Sequence, residues 1–203
     1  VNPDVPALVR ATLPDVQPIV ILRDPVERTI SAFYHQIRMR RIPPWSRLRD
    51  VAHRHGILSM SFYDRHLERW YERFDPDRFL ILGFERDVVG DPEATMRTVF
   101  RYLAVDEEFR PPEPSPARNQ RSSDALLYAD RIMPRLAPRV FRAAPALHRL
   151  PRPRVVVTDA DRRALTELFA PSVTRLETLV GQRFGWSTPT EFSSVEASQE
   201  PPP

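Results

Sequence analysis

The sequence predicts an α/β fold in which a parallel sheet is flanked by helices in three layers. Two short apolar runs, 19–22 and 79–82, have the composition of buried strands. Amphipathic helical patterns over 25–40 and 61–74 separate the two runs, and a third follows the second run. Because a strand, two helices, a strand and a helix in this order connect parallel neighbours, we expect parallel pairing through right-handed crossovers.

The first strand runs directly into a well-defined helix start. The continuous branched run Ile19 to Leu22 predicts a strand buried on both faces. Asp24 suits the N-cap, Pro25 suits the first helical position, and Glu27 completes the spacing of a capping box. We expect this helix to continue to about Arg40.

The other elements follow from caps, breakers and apolar spacing. A short helix is expected from Asp4 to Leu13, and a short helix or loop over 45–56. Asp91-Pro92 opens a helical pattern through Leu103, and the prolines of 110–116 forbid a helix. Beyond this linker the sequence predicts helices over 123–133, 138–147, 158–169 and 172–180.

The composition bounds the class of protein. With 203 residues, 41% of them hydrophobic, the chain can form one medium-sized domain with a core. We assign this domain to residues 1–186 and expect a disordered tail over 187–203. The 30 basic residues, all of them arginine, are nearly balanced by 27 acidic ones, so a dedicated nucleic-acid binder is not expected.

Cysteine is absent, which excludes a disulfide, a thiolate nucleophile and a cysteine-ligated zinc site. His53 and His55 have no carboxylate or cysteine at ligand spacing, so no metal is expected. No run approaches 18 apolar residues, and the first residues lack the pattern of a signal peptide. The oligomeric state and the compartment stay open, with the cytoplasm favoured.

A phosphate site is predicted where the first strand meets its helix. The helix start presents backbone N–H groups and the positive end of the helix dipole, which favour an anion. Arg23 lies in the turn, and Ser31 lies two turns along a helical stripe shared with Arg28 and His35. A guanidinium fork with a hydroxyl suits a dianionic phosphate.

These residues also have ordinary structural explanations. Arg23 can cap the helix or form an ion pair near its start, and Ser31 can face solvent. For Arg28, a surface ion pair with Asp24 or Glu27 at helical spacing is the expected role.

Residues 23–35 resemble the 3′-phosphate-binding motif of sulfotransferases that use 3′-phosphoadenosine-5′-phosphosulfate (PAPS), especially the heparan-type and bacterial carbohydrate-type branch. They read Arg-Asp-Pro-Val-Glu-Arg-x-x-Ser-x-x-Tyr-His after an apolar strand. The blocks 62–70, 74–82 and 91–103 are similar to the tyrosine, the His-Leu-Glu-Arg-Trp helix, the turn, the strand and the Asp-Pro helix of that family. The likeness covers roughly residues 5–105, with a looser match over 158–186.

The resemblance implies a P-loop-nucleotide-hydrolase-like sulfotransferase fold and transfer of a sulfuryl group from PAPS to a hydroxyl or amine acceptor, a carbohydrate or small molecule. It implies that Arg23 and Ser31 hold the 3′-phosphate of the nucleotide. His35 would face the acceptor as a hydrogen-bond donor or general base, with a helix histidine satisfied by a neighbour as the alternative. Arg118 and Arg121 stand where the family has a basic loop over the nucleotide, with solvated loop charges as the alternative.

The chain departs from this family at its beginning. Such enzymes start with a strand and a Gly/Lys/Thr-rich loop for the 5′-phosphosulfate, whereas this chain has no lysine and therefore no Walker-type loop. We expect an amino-terminally truncated chain, with the phosphosulfate loop and the catalytic base upstream of Val1, and such a fragment can be inactive alone. The alternative function is a non-catalytic nucleotide-binding or interaction module that keeps the phosphate site.

Overall fold

The computed structural model describes residues 5–109, 129, 131, 133, 137–144 and 157–186. The expected mixed α/β class is confirmed. No helix in these ranges combines the length and the apolar character that crossing a bilayer requires. In chain order the described elements are α1 (Val5–Thr12), β1 (Ile19–Leu22), α2 (Pro25–Arg38), α3 (Leu48–Val51), a 3-10 turn (Ser59–Ser61), α4 (Tyr63–Tyr71), a second 3-10 turn (Pro76–Arg78), β2 (Leu80–Gly83), a π-helical turn (Phe84–Val89), α5 (Pro92–Tyr102), α6 (Ala137–Ala143) and α7 (Asp159–Val180).

Strands β1 and β2 pair in parallel, as predicted, with Ile19 opposite Leu80 and Leu22 opposite Gly83. The expectation that β1 is buried on both faces is wrong. Ile19 and Ile21 share a face and are exposed, Ile21 by 54%, whereas Leu22 is buried. Within the described ranges the sheet has only these two strands, and the face of β1 that carries Ile19 and Ile21 is the exposed one. The third layer stays a prediction.

Two apolar clusters hold the helices in place. The smaller cluster joins the last residue of β1 to α4, to α7 and to the segment that follows α7, and it consists of Leu22, Leu67, Leu176 and Phe184. The larger cluster joins α2 and α3 to the first half of α7, and its main members are Ile30, Phe33, Ile37, Leu48, Val51, Leu165 and Phe169. Helix α7 therefore contributes side chains to both clusters.

Helix α7 is one continuous helix, although the sequence predicts two. It begins with a complete capping box between Thr158 and Asp161 and ends at Gly181, whose φ of 65° needs a residue without a side chain. Pro171 lies inside it and removes one backbone hydrogen bond. The predicted break is wrong because burial of one face outweighs this loss, through the side chains of Leu165, Phe169, Ser172 and Leu176.

Several sequence predictions fall wholly or partly outside the described residues. The linker 110–116 and the tail 187–203 belong to this group, and so do Arg118 and Arg121. Helix α6 (Ala137–Ala143) confirms the first part of the helix predicted over 138–147, and residues 145–147 lie outside the described residues.

Candidate anion-binding site

The carboxyl ends of β1 and β2 lie side by side and form the edge on which the candidate site is built. Arg23 and Asp24 follow β1 and lead into α2. Phe84 and Glu85 follow β2 and open the π-helical turn, a local geometry that is frequent at functional sites. Parallel pairing brings these four residues to one edge of the sheet, where ligands of α/β proteins bind.

The guanidinium of Arg23 is held by both residues that follow β2. Its Nε lies 3.4 Å from Oε1 of Glu85, and its Cζ lies 5.3 Å from the centre of the Phe84 ring. The side chain is 37% exposed. Nε of Arg23 is buried and has no hydrogen-bond partner among the described residues, so its contact with Glu85 is an ion-pair contact. In the same part of the chain the structure shows no hydrogen bond from either Nη atom, so these two donor groups remain for a ligand.

The backbone N–H groups at the start of α2 are already hydrogen-bonded within the protein. Oδ1 of Asp24 accepts from the N–H groups of Val26, at 2.7 Å, and Glu27, at 3.1 Å. The N–H of Asp24 donates to Oε2 of Glu85 at 3.2 Å. The expectation that these N–H groups are unpaired is therefore wrong, and the donors left at this edge for an anion are those of side chains such as Arg23.

The predicted capping box is confirmed in one half only. Asp24 caps α2 as expected, but Glu27 does not return a bond to the N–H of Asp24, because its carboxylate is paired with Arg162 of α7. Glu85 accepts that N–H instead. Burial raises the pKa of Asp24, its bonds to the backbone lower it, and the charges of Glu27 and Glu85 raise it further.

Arg28 has a structural role that differs from the predicted ion pair. Its Nη1 donates to the carbonyl oxygens of Gly56, at 3.0 Å, and Ile57, at 2.8 Å, and lies 3.4 Å from Oγ of Ser61. Burial lowers the pKa of the guanidinium. The expected pairing with a neighbouring carboxylate is wrong because the side chain turns towards these carbonyls, and Arg28 thereby ties α2 to the segment before α4.

Ser31 and His35 lie one turn apart on the exposed face of α2. Nδ1 of His35 lies 3.1 Å from Nη2 of Arg38. Because a guanidinium can only donate, Nδ1 is the acceptor and the ring proton of a neutral His35 sits on Nε2. Both side chains are accessible to a ligand, and their roles towards phosphate and acceptor stay predictions.

Tyr63, the first residue of α4, reaches the same edge of the sheet. Burial raises the pKa of its phenol to about 12, against the lowering effects of the Arg28 charge and a backbone hydrogen bond with Arg23. The Tyr63 ring centre lies 6.2 Å from that of Trp186, which follows α7. The phenol is therefore neutral at physiological pH and ties α4 to the strand-to-helix turn.

The stability of the protein is expected to fall between pH 10 and pH 12 because of Tyr63. The phenol ionises near 10.0 in the unfolded chain but near 12 in the folded protein. Its contribution is complete below pH 10 and is lost as the pH rises to 12, a change of about 2 to 3 kcal/mol. Denaturant unfolding of Tyr63→Phe should show a shallower decline over this range. Equal slopes for the variant and the wild type would contradict a buried neutral phenol.

The sequence reasoning did not assign Phe84 and Glu85 to the site. A usable signal existed, because both residues follow directly after the second predicted strand. The ends of adjacent parallel strands meet at one edge, so any residue there is a neighbour of Arg23. Parallel pairing of β1 with β2 therefore places Glu85 near Arg23.

Comparison with known proteins points to one family. Residues 4–109 match the model of a sulfotransferase family. Heparan sulfate glucosamine 3-O-sulfotransferase 6 of Homo sapiens is 26% identical over 200 residues, which cover 92% of this chain and 54% of the relative. Heparan sulfate glucosamine 3-O-sulfotransferase 3B1 of Mus musculus is 31% identical over 113 residues, or 52% of this chain and 29% of the relative.

The fold is also similar to that of a solved structure. The crystal structure of a sulfotransferase from Alicyclobacillus acidocaldarius superposes with a TM-score of 0.60 at 20% identity, covering 89% of this chain and 60% of the other. At this identity the likeness concerns the fold alone. The chain spans about half the length, or less, of the curated relatives that it matches.

Proposed function

The chain belongs to the sulfotransferase family, and we propose that it serves the transfer of a sulfuryl group from PAPS to a hydroxyl or amine acceptor. The observation that carries this proposal is the way in which Arg23 is held and which of its N–H donors are left for a ligand. Glu85 and Phe84 restrain its guanidinium at the carboxyl edge of the sheet, while both Nη groups stay without a hydrogen bond among the described residues. Together with the exposed hydroxyl of Ser31, this fork would hold the 3′-phosphate of the nucleotide.

Binding of the 3′-phosphate by Arg23 and Ser31 would contribute to the reaction although neither residue contacts the reacting sulfur. The 3′-phosphate is remote from the sulfur atom that is transferred, so the energy of binding it can be used to orient the donor. The acceptor oxygen or nitrogen forms the new bond to sulfur, the bond to the 5′-phosphate breaks, and 3′,5′-ADP leaves while the acceptor loses a proton. By analogy with phosphoryl transfer, most of the catalysis would come from in-line positioning and charge stabilisation.

For the acceptor we propose the hydroxyl of a carbohydrate that carries anionic groups. Two of the relatives are named for 3-O-sulfation of heparan sulfate glucosamine, which supports a sugar hydroxyl. The exposed face of α2 carries His35 and Arg38 beyond Ser31, and the exposed Trp45 follows that helix. Guanidinium groups suit sulfate or carboxylate. With its ring proton on Nε2, His35 would act towards the acceptor as a hydrogen-bond donor.

The nucleotide preference of the chain tests this proposal directly. We expect 3′,5′-ADP to raise the melting temperature more than 5′-ADP or ATP does, because only 3′,5′-ADP carries the 3′-phosphate. At 100 times its Kd, the ligand should add about 2.7 kcal/mol to the free energy of unfolding. Equal shifts with all three nucleotides would defeat the proposal.

Two controls separate the proposed activity from its alternative. Arg97→Ala on α5 removes an exposed arginine that pairs with Glu93, and it should leave the nucleotide shifts unchanged. Transfer of labelled sulfate from PAPS to heparan-type oligosaccharides should be measured with the whole protein. Selective binding of 3′,5′-ADP without transfer by the whole protein would favour a non-catalytic nucleotide-binding module.

A further inference from the structure

We infer that Glu85 is a positioning residue of the anion site, which aims the guanidinium of Arg23 at the bound 3′-phosphate. The inference rests on the proposed function and deepens it, because it names the group on which the phosphate preference of Arg23 depends. Glu85 itself makes no contact with the nucleotide in this arrangement.

The carboxylate of Glu85 bridges two consecutive residues of the turn after β1. Its Oε1 lies 3.4 Å from Nε of Arg23, and its Oε2 accepts the backbone N–H of Asp24 at 3.2 Å. The first contact restrains the side chain of Arg23, and the second restrains the backbone from which that side chain starts. An arginine that is ordered before the ligand arrives loses less conformational freedom on binding.

The position at which Glu85 contacts the guanidinium of Arg23 determines which N–H donors remain for the ligand. Glu85 approaches the Nε edge, and Phe84 lies against the planar face at 5.3 Å. The edge that carries the two Nη groups is left over, and its N–H groups suit a phosphate bound through two parallel hydrogen bonds. A carboxylate on the Nη edge would have competed with the phosphate instead.

The π-helical turn that carries Glu85 is restrained by hydrogen bonds of the neighbouring residues. The N–H of Gly83 donates to Oδ2 of Asp87 at 2.6 Å, and Arg86 donates to both carboxylate oxygens of Asp87. Nη1 of Arg86 also donates to the carbonyl oxygen of Arg183, after α7, at 3.1 Å. The turn that carries Glu85 is thus tied to the end of β2 and to the carboxyl-terminal segment, which restrains the backbone from which the Glu85 side chain reaches Arg23.

Removal of Glu85 has two opposite effects on anion binding, and their sum is measurable. A carboxylate near the site repels a phosphate, so its loss raises affinity. Its loss also frees the guanidinium of Arg23, which lowers affinity. We assign the larger effect to orientation, because the carboxylate faces the Nε edge and is paired with Arg23 and Asp24.

The test is the Kd of 3′,5′-ADP, measured by calorimetry for the wild type and for Glu85→Ala, with 5′-AMP as the matched ligand that lacks only the 3′-phosphate. We expect Glu85→Ala to weaken 3′,5′-ADP about tenfold, since small misplacements of a positioned group are costly. The Kd of 5′-AMP should change less than twofold, so the preference for 3′,5′-ADP falls. A merely structural role would weaken both ligands equally.

Two further variants keep the inference falsifiable if Glu85→Ala unfolds. Glu85→Gln keeps an acceptor for the N–H of Asp24 but loses the charge opposite Arg23, and an intermediate loss is expected. In an Arg23→Ala background, Glu85→Ala should have almost no further effect, because no fork is left to orient.

Three results would overturn the inference: tighter or unchanged 3′,5′-ADP binding in Glu85→Ala and Glu85→Gln, an equal loss for 5′-AMP, or an undiminished loss in the Arg23→Ala background. Failure of the proposed function looks different, because the wild type itself would then show no preference for 3′,5′-ADP over 5′-AMP.

Discussion

Replacement of Arg23 by alanine is expected to remove the preference of this chain for 3′,5′-ADP over 5′-AMP. The two Nη groups of Arg23 are the strongest donors for an anion that we identify at this edge of the sheet, because the N–H groups at the start of α2 are already bonded. A hydrogen bond to a charged group is worth about 1.5 to 3 kcal/mol, so the loss of two predicts a Kd for 3′,5′-ADP that is weaker by about 100-fold or more.

Arg23→Lys separates charge from geometry in the same measurement. Lysine keeps a positive charge but offers no planar fork, so we expect an affinity between those of the wild type and Arg23→Ala. The exposed Arg97 on α5 provides the matched control, and its replacement by alanine should leave the Kd unchanged. If Arg23→Ala binds 3′,5′-ADP as tightly as the wild type, Arg23 does not contact the 3′-phosphate.

Replacement of Asp64 by alanine is expected to lower the free energy of unfolding by about 3 kcal/mol. Asp64 lies on α4, is 1% exposed, and accepts hydrogen bonds from Oγ of Ser172 and, at 2.9 Å, from Nε of Arg175. Both partners lie on α7. Its loss leaves the buried hydroxyl of Ser172 without its acceptor and opens a cavity between the two helices.

We expect Asp64→Ala to disturb the anion site as well as to lower the stability of the fold. Tyr63, the preceding residue of α4, lies at the strand-to-helix turn and packs against the cluster in which Leu67 of α4 meets Leu176 of α7. Denaturant unfolding measures the stability change, and Asp64→Asn is the matched variant, since its amide oxygen still accepts from Ser172. We expect a smaller loss for Asp64→Asn.

An exposed ion pair provides the comparison for this effect. Arg97→Ala breaks a pair with Glu93 on the surface of α5 and should change the free energy of unfolding by less than about 0.5 kcal/mol. An equally small change for Asp64→Ala would mean that the buried carboxylate adds nothing net to the packing of α4 on α7.

Elements with strong local signals were predicted well from the sequence. The branched run of β1, the N-cap at Asp24 and Pro25 after it specify a strand followed by a helix, and both are present. Parallel pairing of β1 with β2 followed from the order of elements along the chain. The resemblance of residues 23–35 to a sulfotransferase motif identified the family that the comparisons confirm.

The predictions that failed depend on partners far away in the sequence. Glu27 has the right spacing for a capping box, but Arg162 of α7 takes its carboxylate. Arg28 has acidic neighbours on its own helix, but it donates to carbonyl groups 28 and 29 residues further along. Pro171 predicts a helix break, but the packing of α7 against two clusters holds the helix together.

The sequence by itself determined the strand, the helix start and the presence of Arg23 in the turn between them, because caps and apolar spacing act over a few residues. Only the tertiary structure decided how this arginine is used. Glu85 lies 61 residues from Asp24 in the chain, yet parallel pairing brings it to the same turn, where it takes the backbone N–H and faces the Nε edge of Arg23. A side-chain hydrogen bond forms only where the packed elements bring donor and acceptor to about 3 Å from each other. The spacing of neighbouring residues in the sequence does not specify which distant groups come that close.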